Sequence, residues 1–420
     1  MNAKHSEPVI IVGAGIIGLC TAWHCLRAGM RVSVIDRAPS ESDVSGCSYG
    51  NAGMVVPSHF IPLAAPGIIG KGIKWLADPE GPFFIRPRAS LDLMRWGRLF
   101  TSHATDKHVM ASRELLRDLN LASRRLFLDM AKQIGIPVEQ RGLLMLCRTE
   151  KGMEEEAEVA KMARELGVDA ELCSPQRLTE LDSKIQMDVV GGVWFKQDCH
   201  LDPAAFLSAL RRELESMGAE MIYDAEVSGL DRQGDGQVSL KGAVVPPGSQ
   251  ILLCCGVWTD GLLKTMGKRM PMQAGKGYSL TLKSPREQPQ LCSILAEAKV
   301  AVTPMGERLR FAGTMEICGA DLSVNSRRIR GIVRSACEYF PSFSEEDFQD
   351  TPAWAGLRPC SPDGLPYIGR VAGCSNLTVA TGHSMMGLSM GPVTGQLVME
   401  SMLGRPPLMD IQKLDPMRFD

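Results

Sequence analysis

Val9-Ile10-Ile11-Val12 is an unbroken β-branched run with no polar alternation, which predicts a short strand covered on both faces, as in a parallel sheet. A glycine turn follows at once. From Ile16 to Ala28 the apolar positions recur at helical spacing, with Ile16, Leu19, Cys20, Trp23 and Leu26 on one face, and Gly29 stops the helix. Arg31 to Asp36 reads as the next strand. The three pieces make a β-α-β unit of about 30 residues, the size of a dinucleotide half-site.

Further along, Glu114 to Gly135 and Glu150 to Leu166 carry amphipathic helical patterns, the second with a solvated Glu/Lys face. Pro203 to Met217 is a helix capped by Asp202 and stopped by Gly218. Met221 to Leu230 and Ser249 to Cys255 read as strands. Between Met270 and Glu316 short strands alternate with turns, the pattern of an antiparallel sheet in a second domain. Arg327 to Tyr339 is a helix, and Leu377 to Ala380 is a short strand feeding a glycine turn and then a helix from Gly391 to Leu403. No internal repeat interrupts this order.

A chain of 420 residues with net charge −2 and 22% charged residues is globular and lacks the basic excess of a nucleic-acid binder. Its thirteen cysteines include no CxxC pair, so they are expected to be reduced thiols rather than a disulfide or metal framework. Met1 to Pro8 lacks the basic and long apolar regions of an export signal, and the expected compartment is the cytoplasm. Two stretches without Asp, Glu, Lys or Arg, Val44 to Gly70 and Val371 to Met399, are too rich in Gly, Ser, Pro and Asn to face lipid. They are expected to wrap around something buried.

Gly13-Ala14-Gly15-Ile16-Ile17-Gly18 matches G-x-G-x-x-G between that first strand and helix. The first glycine permits the turn, the second lets a pyrophosphate approach, and the third lets helix and strand pack closely. Asp36 ends the next strand, where it can accept hydrogen bonds from an adenosine ribose and would repel the 2′-phosphate of NADP. A second glycine-rich turn, Thr381 to Gly391, again lies between a strand and a helix, and its amides suit the carbonyl side of an isoalloxazine. Two such turns at opposite ends of the chain favour FAD over NAD. No cluster has metal-ligand spacing and no G-x-S-x-G occurs.

At this point the chain resembles the D-amino-acid oxidase-like flavoproteins, and among them the bacterial D-amino-acid dehydrogenases. The resemblance rests on Gly13 to Gly18, Ser48-Tyr49-Gly50-Asn51-Ala52-Gly53, Pro57 to Gly67, Gly275-Lys276-Gly277-Tyr278-Ser279, Gly356-Leu357-Arg358-Pro359, Pro362-Asp363-Gly364, Pro366-Tyr367-Ile368-Gly369 and Thr381-Gly382-His383. It implies an α/β fold: a discontinuous Rossmann-like FAD domain, expected over 1–90, 145–235 and 345–420, and an antiparallel-sheet α+β substrate domain over 91–144 and 236–344. It further implies noncovalent FAD, removal of a hydride from the α-carbon of an amine-bearing acid to flavin N5, and a quinone or other electron acceptor. The segment Met54 to Phe60 is similar to members acting on cyclic D-imino acids such as D-hydroxyproline.

The resemblance sets Gly13, Ala14, Gly15, Ile16, Ile17, Gly18, Asp36, Arg37, Ser48, Asn51, Ala52, Gly53, Met54, Val227, Met386, Gly387, Leu388 and Ser389 against FAD, with Val227 on a strand beside adenine. Arg358 is the candidate for gripping the substrate carboxylate through its planar fork, with an ion pair to Asp363 as the structural alternative. Tyr278 is open between a second donor to that carboxylate and a core residue. His59 and His383 are candidates for contact with substrate or flavin. Ile61 to Ala77, bearing Lys71 and Lys74, is open between a lid, an interaction surface, a peripheral membrane contact and a packed loop and helix.

Overall fold

The computed structural model describes residues 7–39, 46–76 and 78–420, together with the backbone but not the side chains of 73 and 74. Residues 1–6 of the polar N-terminal stretch, 44–45 of the first charge-free stretch, Ala77 and the Lys74 side chain therefore lie outside the described residues. The predicted β-α-β unit is present, as strand Val9–Val12, helix Ile16–Arg27 and strand Val32–Ile35. It sits within a six-stranded sheet ordered Tyr367–Arg370, Leu377–Thr381, Gln250–Leu253, Val9–Val12, Val32–Ile35, Glu220–Ile222, parallel except for the first strand. Val9 to Val12 are all buried, which is why they are uniformly apolar. The helix Gly387–Met402 lies against Ile16–Arg27 so closely that a Cβ on Gly395 would come 2.6 Å from the Cys20 backbone. This contact brings the two ends of the chain together.

The second sheet is larger and mixed. Its order is Ala353–Cys360, Gln273–Leu282, Arg308–Ile317, Val300–Met305, Cys292–Leu295, Leu143–Cys147, Gly191–Phe195, Ala170–Cys173, with Phe83–Ile85 beside Arg308–Ile317. Most pairings are antiparallel, as expected, but Cys292–Leu295 with Leu143–Cys147 and Arg308–Ile317 with Phe83–Ile85 are parallel.

Strand pairing departs from the expected division of the chain in several places, since Phe83–Ile85 and Ala353–Cys360, expected in the FAD domain, lie in this second sheet. The strands within 143–195 join this second sheet, not the dinucleotide sheet, and Gln250–Leu253 lies in the dinucleotide sheet beside Val9–Val12. The reason is that a five-residue apolar strand such as Leu143–Cys147, buried throughout, carries no mark of which sheet covers it. The expected strand from Met221 to Leu230 is also broken: Glu220–Ile222 and Gly229–Arg232 belong to different sheets, and Val227 lies on the loop between them.

Candidate active site

A cavity of about 1630 Å³ runs between the two sheets, from Gly13, Gly15 and Asp36 at one end to Gly277, Thr314 and Arg358 at the other. Ordinary small-molecule pockets are about 300–1,000 Å³, so this one has room for a dinucleotide and a second molecule. At the first end Gly13 has φ +113, and a Cβ there would lie 2.7 Å from the Cys254 carbonyl oxygen. Gly15 precedes the helix with no side-chain cap of its own. The Ile16 amide instead donates to Ser48 Oγ at 3.2 Å, which brings Ser48 to the anion-attracting helix terminus. Gly18 faces the turn and has no room for a Cβ, which would come 2.0 Å from Gly13 O.

Asp36 accepts hydrogen bonds from Ala14 N (2.6 Å) and Ala38 N (2.8 Å), so it organises the turn as well as facing the cavity. Arg37 stacks on Trp258, 4.1 Å from the ring centroid, and both line the same end with Val227. Asn51 Oδ1 accepts from Gly53 N at 2.8 Å, closing a turn in which Gly53 has φ +78. Met54 pairs with His200, and with Asn51 and Ala52 it lines the middle of the cavity.

In the second glycine-rich segment Met386, Gly387 and Leu388 line the cavity at the start of the helix Gly387–Met402. Ser389 does not. Its hydroxyl donates to Asn120 Oδ1 at 2.8 Å and accepts from Val56 N at 3.0 Å, so it ties the helix Asp106–Gln133 to the cavity wall. His383 bonds Thr394 through Nε2 at 3.0 Å, and burial pushes its imidazole down to about 3. That nitrogen is engaged with the protein, while His383 also lines the cavity and stays a candidate for contact with substrate or flavin.

Arg358 projects into the cavity from Ala353–Cys360 and donates through one guanidinium nitrogen to the Thr314 carbonyl at 2.6 Å. Asp363, its alternative partner, is held instead by Arg418 at 2.8 Å. No carboxylate pairs with Arg358 among the described residues, and burial holds its pKa below the ordinary arginine value. The guanidinium lies directly over Gly277, where a Cβ would come 2.2 Å from a guanidinium nitrogen. Tyr278 points the other way. Its hydroxyl donates to Glu316 Oε2 at 2.5 Å among Lys276 and Asn325, so that group is engaged with the protein, although Tyr278 is also among the residues that line the cavity.

His59 lines the cavity and is bonded through Nδ1 to Ser58 Oγ at 3.0 Å, while burial and the nearby Lys299 push it down to about 4. Several functional neighbours carried no sequence signal. Thr314 is a β-branched residue at φ +67, where a register shift turns its carbonyl toward Arg358. Buried Arg310 donates to the Tyr49 and Asn51 carbonyls and so holds the cavity-lining 49–51 loop. Residues 61–76 roof the cavity. There Ile68, Ile69, Gly72, Trp75 and Leu76 of the helix Ile68–Leu76 all line the cavity, with Ile69 and Leu76 also exposed to solvent.

Residues 8–401 match the family model described as FAD dependent oxidoreductase. The chain belongs to this family. It is 30% identical over 422 residues to a D-amino acid dehydrogenase of Granulibacter bethesdensis, covering 98% of this chain and 99% of that one. Among solved structures, glycine oxidase from Geobacillus kaustophilus superposes with TM-score 0.77 at 20% identity over 99% of this chain and 100% of that one. L-proline dehydrogenase from P. horikoshii gives 0.73 at 16% identity over 99% and 98%.

The residues present fit the family's cofactor. A turn at Gly13 with no room for a Cβ, a helix terminus at Gly15 with no side chain of its own to cap it and an acid just past the neighbouring strand line one cavity. Among the described residues no helix is long and apolar enough to cross a membrane, and no group of side chains could hold a metal ion.

Proposed function

We propose that this FAD-dependent oxidoreductase oxidises a D-amino or cyclic D-imino acid, such as D-alanine, D-proline or D-hydroxyproline, to the corresponding imine, and passes the electrons to a quinone or another carrier. The carrying observation is Arg358, a guanidinium open to the cavity with no carboxylate partner among the described residues. It offers a planar pair of donors to one substrate carboxylate, and the Thr314 carbonyl fixes its orientation from behind. The D-configuration is supported by the dehydrogenase relative at 30% identity. When bound, FAD supplies the acceptor for a hydride from the α-carbon. The chain's own residues anchor the carboxylate, close the roof over 61–76 and exclude water from the reacting centre.

Anaerobic mixing with a panel of D- and L-amino acids tests this. The expected result is bleaching of the visible flavin band by one or more D-substrates. Silence across the panel would point instead to an electron-transfer subunit. Turnover in air that yields stoichiometric peroxide, with no gain from an added quinone, would point to an oxidase.

We also propose that the cofactor is held noncovalently. Cys47 lines the cavity, but burial pushes its thiol up to about 11, so it carries little of the thiolate that attachment needs. Acid precipitation is expected to release the flavin into the supernatant. Colour retained in the pellet would refute noncovalent binding.

A further inference from the structure

His59 is the cavity end of a hydrogen-bonded row that leads into the protein. Ser58 Oγ lies 3.0 Å from His59 Nδ1 and 2.5 Å from Asp198 Oδ2, and the Ser58 amide donates to Asp198 Oδ1 at 3.0 Å. A hydroxyl has one proton, and here it is given to the carboxylate, so Ser58 Oγ accepts from His59 Nδ1–H. That tautomer leaves a lone pair on Nε2, for which no hydrogen bond is found among the described residues, on a ring that lines the cavity.

Asp198 is 0% exposed, and among the described residues the hydrogen bonds to its carboxylate come from Ser58 alone. It lies in the turn between Gly191–Phe195 and Cys199–His200, and the pairing of Met54–Val55 with Cys199–His200 sets it beside Ser58. A buried carboxylate without an ion pair is costly to maintain, and such groups concentrate where they are used.

We infer that Asp198, Ser58 and His59 form a relay that takes the proton from the substrate ammonium, with His59 the group that touches substrate and Ser58 and Asp198 acting through it. The inference rests on the amine-oxidation reading above. In the step, the substrate N–H bond breaks and its proton bonds to His59 Nε2. The Nδ1 proton passes to Ser58 Oγ, and the Ser58 hydroxyl proton passes to Asp198 Oδ2. The freed nitrogen lone pair then forms the C=N bond as the hydride leaves Cα.

His59 and Arg358 both line the cavity. Arg358 is bonded to the Thr314 carbonyl, and a Cβ on neighbouring Gly313 would come 3.4 Å from the carbonyl oxygen of Lys299, the cation that acts on His59. The acidity of the terminal group suits the task. Burial pushes the Asp198 carboxyl up to about 7, against the two bonds from Ser58 and the charge of Arg124 on the helix Asp106–Gln133. The thiols of Cys199 and Cys292 also face it, and burial keeps both in the neutral form. His59, held neutral by burial and Lys299, passes the proton on without storing it.

The test is the pH profile of kcat/KM for wild type, Asp198→Asn, Ser58→Ala and Ser58→Thr, each with its FAD content measured. Wild type is expected to rise through a limb near pH 7, where Asp198 ionises. In Asp198→Asn and Ser58→Ala that limb should move up to the ammonium pKa of the free substrate. The expected loss is tenfold or more at neutral pH, vanishing above pH 10, and Ser58→Thr should restore the wild-type profile.

A second readout needs no turnover. The folded-state pKa is raised above the ordinary 3.8, so the fold bears no cost from this group below that value and a growing one as pH rises through about 7. Asp198→Asn should therefore melt no lower than wild type at pH 8–9. Equal limbs in wild type and Asp198→Asn, or a lower melting temperature for Asp198→Asn at that pH, would overturn the relay alone. Absence of wild-type turnover on every amine-bearing acid would overturn the functional reading and the relay with it.

Discussion

Replacing Arg358 with alanine is expected to raise KM for the carboxylate substrate by roughly two to three orders of magnitude, with FAD content unchanged. Losing one partner of a desolvated, hydrogen-bonded charge pair costs about 2–5 kcal/mol, or ~30–5,000-fold. The fold should tolerate the change, because the guanidinium makes one hydrogen bond to protein, the Thr314 carbonyl, and its removal leaves no carboxylate unpaired among the described residues. Arg358→Lys is expected to recover only part of the loss, since an ammonium cannot present two parallel donors. Steady-state kinetics with flavin quantified in each preparation decides this. An unaltered KM in a flavin-loaded Arg358→Ala protein would refute carboxylate binding by Arg358.

Gly15→Asp is expected to yield folded, colourless protein. At φ −75 the backbone accepts any residue, and a Cβ there meets only Ser48 Oγ at an ordinary 3.5 Å. An aspartate at this N-cap position would even stabilise the helix by taking up its free amides. Those amides and the positive helix terminus are what a pyrophosphate needs, and a carboxylate there adds repulsion to competition.

Asp36→Ala makes the comparison. It removes a hydrogen-bonding acid from the ribose end and is expected to weaken FAD by ~1–3 kcal/mol, about 5–150-fold. Circular dichroism, melting temperature and flavin titration of both variants check the pair. Stoichiometric flavin in Gly15→Asp would place the pyrophosphate elsewhere.

The sequence by itself determined the elements whose cause is local. An all-buried strand has no reason to alternate, so Val9–Val12 showed itself as apolar throughout, and the Gly13 that follows occupies a turn where a Cβ would strike the Cys254 carbonyl. Asp202 and Gly218 likewise bracket the helix Pro203–Ser216, because its cap hydrogen bonds to Ala204 N and Ala205 N span only three residues. The first dinucleotide turn and Asp36 were legible for the same reason, whereas Arg358 was reached through the family resemblance.

Only the tertiary structure decided which side chains share a face and which strands share a sheet. Gln273–Leu282 pairs with Ala353–Cys360 in a register that sets Gly275 against Arg358 and Tyr278 against Ala355. With a side-chain period of two, Gly277 then lies under Arg358 while Tyr278 turns to Glu316 on the opposite face. Neither strand encodes that register, since a one-residue slip would reverse every side chain.

Ser58 and Asp198 are 140 positions apart, and Ser389 and Asn120 are 269 apart. Each residue alone is an ordinary polar side chain. What raises the affinity of Asp198 for protons, and sets the Ser389 hydroxyl to brace Asn120 and Val56, is the buried place to which long-range pairing brings them.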